Sequence, residues 1–185
     1  MSYDPKLYWE KRGQQYKVKT KYDFQEELIH LKYLFYDLDL FNNSILEVGP
    51  GYGRLYNTIS PLATDYRMVD FVNSMRQRCL KRTGVLPDYW DGKILPYDDQ
   101  SFHTTILFSV LLHVPPKDIH EFLWEVTRVT ESYIFIATFS GKGSIRSNHC
   151  FNYDYKSIFY GMGLEVVSEK LLNSGYRVNY LIKVT

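Results

Sequence analysis

The sequence predicts an α/β fold: a doubly wound, mainly parallel seven-stranded sheet with helices on both faces and a C-terminal antiparallel hairpin. Three observations point there. From Ser44 onward, short apolar runs alternate with longer amphipathic stretches, the rhythm of βαβ units. A glycine-rich turn, "VGPGYGR", separates the first apolar run from the first amphipathic stretch. The last two runs, "LEVVSEK" and "YRVNYLIKVT", follow each other with no helix between them, and a short connection joins only antiparallel strands.

Each element has its own signal. Phe24, Leu28, Leu31, Phe35 and Leu38 recur at steps of 4, 3, 4 and 3, one apolar helix face, and "NNS" (Asn42 to Ser44) follows as a turn. "SILEV" is strand one, and "YGRLYNTIS" is the helix after it, stopped near Pro61. "YRMVD" is strand two. "VNSMRQRCLKRT" carries Val72, Met75 and Cys79 on one face and ends at Gly84. "VLPDYWD" is a short third strand, and "SFHTTILFSV" is the fourth, after the turn-like "YDDQ". "PKDIHEFLWEVTRVT" turns Ile119, Phe122, Leu123, Val126 and Val129 inward as a helix, and "SYIFIATF" is strand five. "GKGSIRSNH" reads as a loop, and "DYKSIFYGMG" as a short helix ended by glycine.

With 185 residues, 45% of them hydrophobic and 23% charged, one domain can bury a full core. A net charge of +1 creates no general demand for nucleic acid or an anionic membrane. The charge is uneven. Residues 1–21 hold Lys6, Lys11, Arg12, Lys17, Lys19 and Lys21 against Asp4 and Glu10. Cys79 and Cys150 are too few for a disulfide framework and lack metal-ligand spacing, so no metal is expected. "MSYDPKLYWEKRG" is too polar for a secretory signal, and no run reaches the ~18 apolar residues of a membrane span. A cytoplasmic protein is expected.

Gly49, Gly51 and Gly53 follow strand one and open a helix. That is where ligands bind in an open parallel sheet, and glycine lets the backbone approach them closely. A dinucleotide turn wants GxGxxG; here the third glycine comes one position early, and Arg54 stands in the last one's place. Glu47 precedes the first glycine by two residues. Partly desolvated, it would disfavour a pyrophosphate by ~1 kcal/mol or more and welcome a cation. The turn therefore argues for a cationic, phosphate-free ligand over a nicotinamide dinucleotide.

"ILEVGPGYGRL" resembles motif I, acid-x-Gly-x-Gly-x-Gly, of the class I S-adenosylmethionine-dependent methyltransferases. "MVDF" ends strand two with Asp70, and the resemblance assigns that acid to the two ribose hydroxyls, for which a carboxylate is a natural bidentate acceptor. "YWDGKILPYDDQSF" is similar to the family's stretch after strand three, which implies that Asp91, with the Gly92 amide beside it, reads the adenine amino group. "LPYDDQSFHTTILFSVLLHV" is similar to the strand-four signature of the small-molecule-type branch, except that His103 stands where that branch usually has an acid. The resemblance covers roughly residues 44–139. It implies S-adenosyl-L-methionine as cofactor, with Phe71 and Phe108 as adenine-side contacts. Each residue also has a plainer reading: Glu47 capping nearby amides, Asp70 as a helix N-cap, Asp91 as a turn residue, and the two phenylalanines as core.

The expected organisation is one methyltransferase domain over 1–185. It comprises an N-terminal helical lid or cap (1–40), a cofactor-binding core (44–139), a mobile loop (140–152), and a C-terminal helix and hairpin (153–185). Tyr8, Arg12 and Tyr16 are four apart, on one helical face. They suit a lid with Arg12 on the methionine carboxylate and aromatics over the sulfonium, or else an amphipathic helix facing solvent. His113, in "LLHVPP" just after strand four, is the candidate general base. His149 is its rival, and Arg146 is a candidate for holding an anionic substrate.

"FSVLL" after strand four lacks the Asn/Asp-Pro-Pro-aromatic stretch of amino-directed DNA methyltransferases. Neither cysteine adjoins the proline that pyrimidine C5 enzymes require. A small-molecule acceptor, methylated at O or N and anionic given the basic N-terminus, is therefore the expectation. An RNA or protein acceptor, and a cofactor-binding module without catalysis, remain the alternatives.

Overall fold

The computed structural model describes residues 3–15, 24–40, 42–141 and 148–184. Strand β1 (Ser44–Val48) is central, and Ile45, Leu46 and Val48 are buried on both of its faces, as expected of a parallel strand covered on both sides. It pairs in parallel with β2 (Asp65–Asp70) on one side and β4 (Phe102–Phe108) on the other. The short β3 (Asp88–Tyr89) extends the β2 side. Beyond β4 come β5 (Thr130–Phe139), then β7 (Arg177–Lys183), and finally β6 (Glu165–Leu172) at the edge. β7 runs antiparallel to both of its neighbours. This is the sheet the sequence predicts, with the hairpin's second strand inserted beside β5.

One face packs on α2 (Gln25–Asp37), whose Leu31, Leu34 and Phe35 meet Ile45, Ile106 and Phe135. The opposite face packs on α5 (Ile119–Val129) and α6 (Tyr155–Gly161), where Leu123, Val126 and Phe159 meet Leu46, Leu107 and Ile134. All five residues expected on the inward face of α5 are buried. A polar link also crosses the α2 face. Arg177 donates to Glu27 Oε1 at 2.7 Å and to Ser109 Oγ at 2.8 Å, and Glu27 is 0% exposed. The link ties α2 and β7 to the residue that leaves β4.

Two elements differ from expectation. The helix after β1 shrinks to α3 (Tyr56–Ile59), followed by a tighter helical turn at Ser60–Leu62. The reason lies in the glycines: Gly49, Gly51 and Gly53 adopt φ of 70°, 59° and 74°, left-handed conformations that no helix can contain. Phe24 does not join the face of α2. It sits ahead of the helix at φ 77°, its ring against Phe108 and under the guanidinium groups of Arg54 and Arg177.

The N-terminal helix α1 (Pro5–Gln15) docks on α4 (Asn73–Thr83). The Glu10 carboxylate accepts the amides of Asn73 and Ser74 at 2.5 and 3.0 Å, so it caps α4 from another element. Gly13 makes the contact close: a Cβ there would lie 2.2 Å from Ser74 Oγ. Arg78 of α4 in turn donates to the carbonyls of Gly13 and Gln14.

Candidate functional site

A cavity of about 910 Å³ opens where β1, β2 and β4 end, between the glycine turn and α1. It lies at the point where connections leave β1 towards one side and β4 towards the other, the usual ligand position in an open α/β sheet. Gly49, Gly51, Asp70, Phe71, Asp91, Gly92, Phe108 and His113 all line it. Tyr8, Arg12, Glu47 and Gly53 are not among its lining residues.

The three glycines do different jobs. A Cβ on Gly51 would meet nothing within 4 Å, so this residue leaves open space at the turn. A Cβ on Gly49 would lie 2.8 Å from Val110, and one on Gly53 would lie 2.7 Å from both Cys79 Sγ and Thr83 Cγ2. Gly53 therefore lets the turn pack on α4 instead of opening the cavity.

Asp70 is fixed at the end of β2. Its Oδ1 accepts the Val72 amide at 2.9 Å and its Oδ2 accepts the Gly51 amide at 3.2 Å. Burial pushes its carboxyl up to about 7, against the pull of those two amides and of Arg76. A carboxylate offers about four lone-pair positions, so two amides leave it capacity to accept donors from the cavity. An oriented, desolvated acid of this kind suits a ligand that brings hydroxyl donors and positive charge.

Glu47 lies beneath the turn, where it accepts the Tyr66 hydroxyl at 2.5 Å. Burial pushes it, too, up to about 7, while Tyr66 and the positive charge of Arg54 oppose the shift and Asp70 adds to it. The sequence reading missed Tyr66. The signal was the parallel register, which sets Glu47 against Met68 and so places Tyr66, two residues earlier, on the same face.

Asp91 is exposed, and its Oδ1 accepts the Lys93 and Ile94 amides at 2.8 and 3.1 Å. Those amides hold it below the usual carboxylate range. Gly92 follows at φ 95°. The Phe71 ring meets Trp90 edge-on at 5.7 Å. Phe108 is 2% exposed, with Arg54 lying 4.6 Å from its ring centre and donating to its carbonyl at 2.8 Å. Arg54 lines the cavity as well. In the sequence it stands out only as the residue in the place of a glycine.

At the other end of the cavity is His113, in a helical turn at Leu111–His113. Its Nδ1 lies 2.7 Å from the carbonyl oxygen of His149, which can only accept, so Nδ1 carries the proton and Nε2 the lone pair. Burial lowers its pKa to about 4, the positive charges of His149, Arg177 and Arg54 add to the shift, and the His149 carbonyl opposes it. The imidazole is therefore neutral near pH 7. The Trp9 indole meets its ring at 4.7 Å and His149 stacks on it at 5.4 Å. Tyr8 stacks on His149 at 4.4 Å, with its hydroxyl 3.2 Å from Nε2.

Helix α1 thus brings Trp9, which the sequence reading did not single out, to the cavity wall, while Arg12 is exposed in its last turn. The spacing placed Tyr8 and Arg12 on one face, but the docking of Glu10 and Gly13 on α4 decides which side meets the cavity. Tyr16 and Arg146 lie outside the described residues.

The comparisons with known proteins agree with this geometry. Residues 46–134 match a family model described as a methyltransferase domain. A SAM-dependent methyltransferase from Aquifex aeolicus shares 13% identity at a TM-score of 0.73, with 100% of both chains covered. Magnesium protoporphyrin IX methyltransferase from Synechocystis PCC 6803, with bound SAH, shares 13% identity at a TM-score of 0.77, covering 97% of this chain and 98% of that one. The cyclase SpnF shares 11% identity at a TM-score of 0.69, covering 90% and 84%. No curated protein matched by sequence. Residues 46–134 thus carry a methyltransferase domain, and the whole chain has the fold of S-adenosylmethionine-dependent methyltransferases.

Proposed function

We propose that this protein uses S-adenosyl-L-methionine to methylate an O or N atom of a small molecule. The observation that carries the reading is Asp70, a buried carboxylate oriented by two amides on the wall of a roomy cavity. Such an acid fits the ribose diol, and Glu47 behind the turn adds negative potential for a cofactor that is cationic and free of phosphate. Gly51 leaves room for the ligand, Phe71 flanks the adenine, and Asp91 with Gly92 reads its edge, while Phe108, on which Arg54 packs, goes with the methionine end. Arg54, lining the cavity beside the turn, is the cation suited to the methionine carboxylate. Arg12 is the alternative should α1 move.

When bound, the cofactor supplies a methyl group already activated by its sulfonium. The chain's task is alignment and the exclusion of water. Trp9 and His113 wall the acceptor end. His113, neutral and protonated on Nδ1, accepts the acceptor's proton at Nε2. The same wall includes Val110, Val114, Pro115 and Phe122, while Lys117 is offset by Asp118 and Glu121. That mixture favours an uncharged, partly apolar acceptor over the anionic one expected from the basic N-terminus.

The test is S-adenosylhomocysteine release across panels of small alcohols, phenols and amines, set beside RNA and protein. Stimulation by small molecules is expected. Stimulation by RNA or protein alone would overturn the acceptor class. Binding without turnover on any panel would favour a cofactor-binding module, a real alternative because the cyclase SpnF shares the fold.

A further inference from the structure

Beside the cavity, three donors from two separate segments converge. His113 comes from the turn after β4, and His149 and Cys150 come from the stretch before α6. One ring nitrogen of each histidine and the Cys150 Sγ lie within 4.8 Å of one another, all on half-buried residues. No ligand motif is legible in the sequence because His113 precedes its partners by 36 and 37 residues.

We infer that His113, His149 and Cys150 form a binding site for a thiophilic divalent cation of the zinc class. Two imidazoles and a thiolate are the donors preferred by zinc, cobalt and copper, whereas magnesium and calcium take oxygen. The distance between the thiol and the His113 ring fits such a site. Cys150 Sγ lies 3.6 Å from His113 Nδ1, and metal bonds of ~2.0–2.1 Å to nitrogen and ~2.3 Å to sulfur at a tetrahedral angle set these atoms about 3.5 Å apart. The surroundings agree as well. The Tyr8 hydroxyl sits on His149 Nε2, and a partner on one ring nitrogen is what orients the other towards a metal. Three protein donors leave a fourth position for water or an incoming ligand.

Binding is balanced in protons. The Cys150 thiol loses its proton to solvent, the His113 ring proton moves from Nδ1 to Nε2 as the metal takes Nδ1, and the His149 carbonyl gives up the hydrogen bond it now accepts and turns out of the metal's place. The metal then ties the stretch before α6 to the turn after β4. Moving the proton to Nε2 also removes the lone pair assigned to the methyl acceptor. That consequence rests on the methyl-transfer reading; the site does not.

The test is a cobalt titration of tag-free, reduced protein without methyl donor, followed in the near ultraviolet and visible. One equivalent should produce a thiolate-to-cobalt charge-transfer band that zinc abolishes. Cys79→Ser, which removes the other thiol, should keep the band. Cys150→Ser should lose it, and His149→Ala should weaken cobalt binding by more than ~10-fold. No band in the wild type, or a band surviving in Cys150→Ser, overturns the site. A second readout needs no variant: alkylation mapped by mass spectrometry, where zinc should slow modification of Cys150. Equal rates with and without zinc also overturn it.

Discussion

Asp70 and Glu47 are both buried carboxyls raised to about 7, but they meet different partners. Asp70 is held by backbone amides and lines the cavity, so its charge is available to a ligand. Glu47 is held by a tyrosine and does not line the cavity. Replacing Asp70 by Ala should weaken cofactor binding by about 1.5–3 kcal/mol, the scale of charge-assisted hydrogen bonds, as measured by calorimetry. Since the ionised form is the better acceptor, affinity for S-adenosylhomocysteine should rise with pH through about 7; a flat profile would remove Asp70 from the ribose role. His113→Ala should lower turnover and leave cofactor affinity unchanged, so a wild-type rate would exclude it as proton acceptor. These acids and His113 were legible as residues because motif and strand position named them. Tyr66, Trp9 and Arg54 were not, since their roles arise from register and docking.

At the scale of elements, the glycine turn is a packing device as much as a ligand platform. Gly53→Ala places a Cβ against Cys79 and Thr83 at 2.7 Å on top of a left-handed backbone, whereas Gly51→Ala meets only the backbone strain, about 1–2 kcal/mol. Urea unfolding should therefore find Gly53→Ala the more destabilised of the two, and S-adenosylhomocysteine titration should find Gly51→Ala the more impaired in binding per unit of stability lost. The reverse ranking would contradict the division of roles. The sequence predicted glycines here but treated all three as facing a ligand, because spacing alone does not reveal which side of a turn meets a neighbouring helix. For the same reason it overestimated the helix after β1.

At the scale of the whole molecule, the alternation of strands and helices and the terminal hairpin were legible because hydrophobic period and connection length dictate them. The link from Glu27 to Arg177 was not, since its partners lie 150 residues apart. Glu27→Ala should cost ~3–5 kcal/mol by leaving Arg177 buried without its carboxylate; a loss below about 1 kcal/mol in urea would show the pair to be incidental. Stability should also follow the two raised acids. Their folded values near 7 exceed ordinary carboxyl values of about 4, so their contribution is full below about pH 4 and is lost as pH rises to about 7. The melting temperature of ligand-free protein should accordingly fall from about pH 4 to about pH 7, and Asp70→Asn should flatten the fall.

The most direct measurement of the central claim is calorimetric titration of the wild type and of Asp70→Ala with S-adenosylhomocysteine, with NADH as comparator. The predicted result is one cofactor per chain in the wild type, binding ~10- to 150-fold weaker in a folded Asp70→Ala, and no NADH binding. Binding of NADH alone, or equal S-adenosylhomocysteine affinity in both proteins, would contradict it.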